Sequence, residues 1–175
     1  MKEAKKGNSE RPMDDFKRND LISKQRITEP YIVQDKHTFI MMIVFPLNIH
    51  DDYGVDQCEK INALDHKNVL PHTGYFKDEH NRLNLIAEYP LLPDLEVRVR
   101  SKKYFKKYFG ITDVLKILSW IVDGLAYCHS QNVAHWDLHV RNIFYTEDNI
   151  IKIGNFLLDN KTPKIDKSHP ANLKT

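Results

Sequence analysis

Asp137 and Asn142 stand five residues apart in the run His135-Trp136-Asp137-Leu138-His139-Val140-Arg141-Asn142, and Asn155 follows thirteen residues after Asn142 in Gly154-Asn155-Phe156-Leu157. A carboxylate such as Asp137 can take a proton from a hydroxyl. The carboxamide oxygens of Asn142 and Asn155 are hard donors of the kind Mg2+ accepts, although they lack the negative charge it favours. Asp137 also has an ordinary role open to it, capping a turn through its own local backbone. His135 and His139 have H-x-x-x-H spacing, which holds a metal when a helix brings both rings to one side. This segment reads as loop, so both histidines are read as structural.

The run from His135 to Asn142 resembles the H-R-D-x-x-x-x-N catalytic loop of protein kinases, and Gly154 to Leu157 resembles their D-F-G loop. Asp137 matches the position that accepts the substrate hydroxyl proton, and Asn142 the position that holds a metal ion. The resemblance also exposes replacements. Trp136 stands for the Arg, Asn155 for the metal-binding Asp, and Leu157 for the Gly after Phe. No glycine lies between Gly7 and Gly54, so the Gly-rich loop that covers phosphates is missing. The best fit to the V-A-I-K strand is Phe39-Ile40-Met41-Met42, which puts Met42 where the phosphate-binding Lys is expected. Counting back from Leu64 and His66 puts Gln57 where its acidic partner is expected. Met with Gln strands no buried charge, as a lone Lys would.

Leu85-Ile86-Ala87-Glu88-Tyr89 resembles the strand that leads to the adenine-contacting segment. Ala87 is then the small residue guarding the back of the pocket, and Phe144 lies under the adenine ring, where it can fill the space. His135, Phe156 and Ile61 match positions that stack into a hydrophobic column joining the two lobes, with His72 as the fourth member. The resemblance implies ATP and Mg2+ as cofactors, with ligands at Asn142 and Asn155. The missing charges imply that triphosphate is poorly gripped. Three readings follow: a catalytically impaired pseudokinase acting as a binding or regulatory module, a divergent kinase acting on Ser/Thr or Tyr, and a protein that binds anionic surfaces.

These residues need elements to position them, and the hydrophobic pattern supplies candidates. Tyr31–Val33 and Thr38–Val44 read as a hairpin across a polar turn. Val55, Cys58, Ile61 and Leu64 recur every three residues and predict a helix over 55–65. Tyr75-Phe76 and Leu83–Ala87 read as a second strand pair, and Pro90 and Pro93 break regular structure. A helix is predicted from Thr112, as N-cap, to His129, with Val114, Leu115, Leu118, Ile121, Val122, Leu125 and Ala126 as its apolar stripe. Ile143–Tyr145 and Ile150–Ile153 form a short hairpin. The expected fold is α+β and protein-kinase-like: a small β-rich N-lobe (about 21–89) and the first part of a helical C-lobe (about 90–158), truncated after the metal-binding loop. Residues 1–20 are expected to be a disordered charged tail and 159–175 a polar tail resembling an activation loop.

The bulk composition narrows the partners. A net charge of +2 over 175 residues supplies no global field for nucleic acid or membrane. The one local exception is Arg98, Arg100, Lys102, Lys103, Lys106 and Lys107, interleaved with aromatic residues, which could meet a single-stranded nucleic acid or an anionic membrane. Its ordinary reading is a solvated helix face. No apolar run is long enough to span a bilayer. Cys58 and Cys128 have no metal or disulfide spacing and are read as buried thiols, which with no signal peptide in view suggests the cytoplasm. A C-lobe that stops early would leave apolar surface on the 112–129 helix, so another protein is expected to cover it.

Overall fold

The computed structural model describes residues 10–18, 30–47, 52–104 and 109–156, without the side chains of 102–104. Five antiparallel strands form the main sheet: β1 (Phe16–Arg18), β2 (Tyr31–Asp35), β3 (Met41–Pro46), β4 (His72–Lys77) and β5 (Leu83–Glu88), in the order β1-β2-β3-β5-β4. Helix α1 (Asp52–Asn62) connects β3 to β4. Beyond β5 come α2 (Leu95–Tyr104), α3 (Ile111–Ser130) and a small hairpin of β6 (Ile143–Tyr145) and β7 (Ile151–Ile153). The α+β, kinase-like architecture read from the sequence is the one observed.

The β2–β3 hairpin registers Tyr31 with Val44. Asp35 closes its turn, accepting the N–H groups of His37 and Thr38 at 2.8 Å each. The turn is longer than the apolar run suggested. Phe39 sits at φ 59° with 71% of its surface exposed, and β3 starts only at Met41.

Both faces of β3 are apolar because each covers a different core. Met42 and Val44 pack outward with Phe16, Val33, Phe76 and Ile86. Ile43, Phe45 and Leu47 face the larger core with Cys58 and Ile61 of α1. Period-two alternation makes this division strict. The expected charged tail over 1–20 is corrected for residues 10–18. Phe16 is buried, β1 pairs with β2, and Arg11 bonds the buried Asp35 at 2.7 Å.

Helix α3 begins one residue before Thr112. Gly110 is its N-cap, and the Gly110 N–H reaches Asp113 Oδ2 at 3.3 Å. Ile117, Trp120, Ile121 and Leu125 turn inward, whereas Ile111, Val114, Leu115, Leu118 and Val122 form an exposed row. Gly124 lets α3 approach the 66–70 segment closely. A Cβ there would stand 2.8 Å from the Asn68 carbonyl oxygen. That segment is also stitched to β7. Ile153 N–H donates to Asn68 O at 2.9 Å, Leu70 N–H to Ile153 O at 2.8 Å, and Asn68 Nδ2 to Ile151 O at 2.9 Å. No helix among the described residues is long and apolar enough to cross a membrane.

Candidate functional site

A cleft of about 510 Å³ lies between the sheet and the 135–155 loops. Pro30, Ile43 and Phe45 form one wall, and Asp137, His139, Arg141, Asn142, Phe144 and Asn155 form the other, with Asp94 at the side. The described sheet side is wholly apolar. All the charge comes from Asp94 and the loop.

The loop is held by short bonds to its own backbone. Asp137 N–H donates to His135 O at 2.8 Å across Trp136, which sits at φ 59°. A left-handed conformation is uncommon for so large a side chain and marks a tightly turned loop. Asn142 Nδ2 donates to Asp137 O at 2.8 Å and to its carboxylate Oδ2 at 3.0 Å. Those two acceptors fix which end of the Asn142 amide faces Asp137. Asn142 Oδ1 is therefore turned toward Asn155, whose Nδ2 donates to it at 2.9 Å. Gly154 N–H donates to Asn142 O at 2.9 Å, and His135 Nε2–H donates to Gly154 O at the same distance. The sequence brackets of the two loops thus become one hydrogen-bonded unit.

Behind this unit lies the expected column. The Phe156 ring meets His135 with centroids 4.6 Å apart and His72 edge-on at 5.7 Å. Ile61, fully buried, belongs to the same core. Neither ring nitrogen of His72 has a hydrogen-bond partner among the described residues, nor does His135 Nδ1. Burial, with His135 nearby, pulls the His72 pKa down to about 4. Burial also lowers that of His135, against the Gly154 carbonyl and the Asp137 charge. Both rings are neutral at pH 7.

The structure brings together Asp137, Asn142, Phe144 and Asn155 but not Met42. Met42 faces the outer core beside Phe76 and Thr73, with Thr73 Oγ1 3.9 Å from its sulfur. Phe45, three residues on and therefore on the opposite face, occupies the cleft instead. Gln57 is half-buried on α1 and bonds Asp56, outside the cleft lining. Glu59 points to Tyr75, whose hydroxyl donates to it at 3.1 Å. Ala87 is fully buried between Ile43 and His72 in the sheet register. Glu88 and Tyr89 line a separate cavity of about 440 Å³ with Leu70 and Ile150.

Sequence reasoning missed Ile43, Phe45, His139 and Arg141 as cleft residues. His139 was visible two residues after Asp137, and its Nδ1 accepts the Arg141 N–H at 3.3 Å. Phe45 was hidden because β3 is apolar on both faces. Of the basic group on 98–107, Arg98 stacks on Tyr145 at 3.9 Å and Arg100 pairs with Glu96 at 2.8 Å. The side chains of Lys102 and Lys103, and all of Lys106 and Lys107, lie outside the described residues, as does Leu157.

A family model described as Protein kinase domain matches residues 51–169, more than half of the chain. The chain is 25% identical over 155 residues to a probable serine/threonine-protein kinase nek3 from Dictyostelium discoideum, covering 82% of this chain and 14% of that protein. It is 32% identical over 108 residues to serine/threonine-protein kinase PLK4 from Drosophila virilis, covering 62% and 13%. Aurora kinase from Yarrowia lipolytica is 26% identical over 152 residues, covering 82% and 39%. The chain spans well under two thirds of the length of each of these relatives. With the strand order, the stacked column and the two joined loops in place, the family match gives a direct conclusion: the chain belongs to the protein kinase family.

Proposed function

We propose that this chain is a kinase-fold binding or regulatory module without efficient phosphotransfer. The observation that carries this reading is Phe45. It faces Asp137, Asn142 and Asn155 across the cleft, in a wall that Ile43 and Pro30 also make apolar. Phosphoryl transfer depends on fixed positive charge around the phosphates. Arg141 and His139 stand on the loop side, next to two carboxylates, and no described sheet residue of the cleft offers a cation.

Mg2+ does not fit the carboxamides that would hold it. Asn155 presents N–H rather than oxygen to Asn142, and Asn142 Oδ1 is already bonded. Losing a cationic clamp and a charged metal ligand each costs several kcal/mol of transition-state stabilisation, and about 1.4 kcal/mol is a tenfold change in rate. Turnover should be slower by several orders of magnitude than that of a complete site. The exposed row Ile111, Leu115, Leu118 and Val122 supports a role in protein binding.

A divergent kinase is the second reading, favoured by the intact Asp137–Asn142 geometry. Thermal shift with ATP, with and without Mg2+, combined with radiolabel transfer, separates the two. The module reading predicts no metal-dependent ATP shift and no transfer above background. Transfer that disappears on Asp137→Ala would establish the second.

A further inference from the structure

We infer that the Asn155 carboxamide does in this cleft what a bound divalent cation would otherwise do: it joins the 135–142 loop to the 153–156 segment, so the cleft is organised without metal. This rests on the same site as the reading above and deepens it.

Asn142 sets the orientation. Its amide nitrogen has two acceptors on Asp137, so its oxygen must face the other way. An oxygen acceptor buried in a half-enclosed site needs a donor or a cation. Asn155 Nδ2 supplies the donor at 2.9 Å. An aspartate at 155 would place a carboxylate oxygen against the Asn142 carbonyl oxygen, two acceptors with no proton between them. Only a cation, protonation of the carboxylate or a structural shift could relieve that contact. Asn155 also stands at φ 57°, a left-handed conformation that Asn accepts better than most residues. Position 155 thus satisfies both the backbone and the bridge with one uncharged side chain. The chemical consequence is a selectivity. Whatever enters the cleft meets a finished loop and an apolar sheet wall, so its binding should not depend on divalent ions. A metal–polyphosphate complex is disfavoured.

The test compares the full chain with Asn155→Asp and Asn155→Ala, without nucleotide, in chelator and in millimolar Mn2+. The wild type should melt at the same temperature in both and show no Mn2+ binding by water-proton relaxation. Asn155→Asp should melt about 2–8 °C lower in chelator and recover in Mn2+. Asn155→Ala should melt lower in both and ignore the ion. Mn2+ binding by the wild type would overturn the inference. So would an Asn155→Asp protein that melts like wild type in chelator, or one that fails to fold in both conditions, since the ion should replace the amide. Phosphotransfer by the wild type would defeat the functional reading, whereas this nucleotide-free titration bears on the amide bridge alone.

Discussion

His72 is an acid-sensitive point in the stacked column. Its pKa is about 4 in the fold against an ordinary 6.5, because burial disfavours the imidazolium. The unfolded chain therefore takes up this proton first. The stability tied to a neutral His72 is complete above pH 6.5, declines as pH falls below it, and is fully lost by about pH 4. The loss should reach about 2 kcal/mol by pH 5 and about 3 kcal/mol in full. His135 pulls in the same direction. Urea titrations at pH 7.5 and pH 5 should show this loss, and His72→Leu should remove most of it. Phe45 and Met42 allow a second comparison. Phe45→Lys removes a fully buried ring, even though its ammonium would face the cleft that Asp137 lines, and should cost about 3–5 kcal/mol. Met42→Lys buries an ammonium among Phe16, Val44 and Phe76, with Glu88 its cross-strand neighbour, and should cost about 3 kcal/mol. A loss for Met42→Lys within about 0.5 kcal/mol by denaturant unfolding, the size of a surface substitution, would contradict its burial in the outer core. The sequence grouped Asp137, Asn142, Phe144 and Asn155 through local motifs, and all four line the same cleft. It misplaced Met42 because an odd-numbered slip along a doubly buried strand leaves the hydrophobic pattern unchanged.

Among the elements, β1 shows how a short edge strand is retained. Three residues of pairing are a weak attachment, and Arg11 with Phe16 supplement it. The Arg11 guanidinium bonds Asp35 and lies 4.6 Å over the Phe16 ring. Burial alone would push the Asp35 carboxyl up. The Thr38 amide, the Arg11 guanidinium and the His37 amide outweigh it and hold the group well below the usual carboxylate range. Asp35→Ala removes the acceptor for all three donors and should destabilise the chain by about 3 kcal/mol, since Arg11 keeps some solvent contact. Limited proteolysis should then cut near residues 10–18 first, and unchanged stability would show that the pair is incidental. This element was invisible in the sequence for a physical reason. Its one buried apolar residue, Phe16, sits among charges, and the partner of Arg11, Asp35, lies twenty-four residues further on. Helix α3 was the opposite case, legible over nearly its full length because its apolar stripe repeats locally. Only its first residues differed, where a glycine backbone and Asp113 replaced the hydroxyl cap expected of Thr112.

At the scale of the molecule, two cores share one sheet, and the larger one runs on through α1 to the 143–156 hairpin and loop. The kinase-like order of strands and helices was readable because each element announces itself within ten or twenty residues. The union of the halves was not, since it depends on backbone atoms that every residue carries. The bonds from Asn68 and Leu70 to Ile151 and Ile153 make that union. They imply that the halves lose protection together. In hydrogen–deuterium exchange, the amides of Leu70 and Ile153 should open as one slow unit with those of β5, at the global unfolding free energy rather than by independent fraying. A heat-capacity trace should accordingly show one endotherm, and a lone early release of the β6–β7 amides would reveal two separable folding units instead.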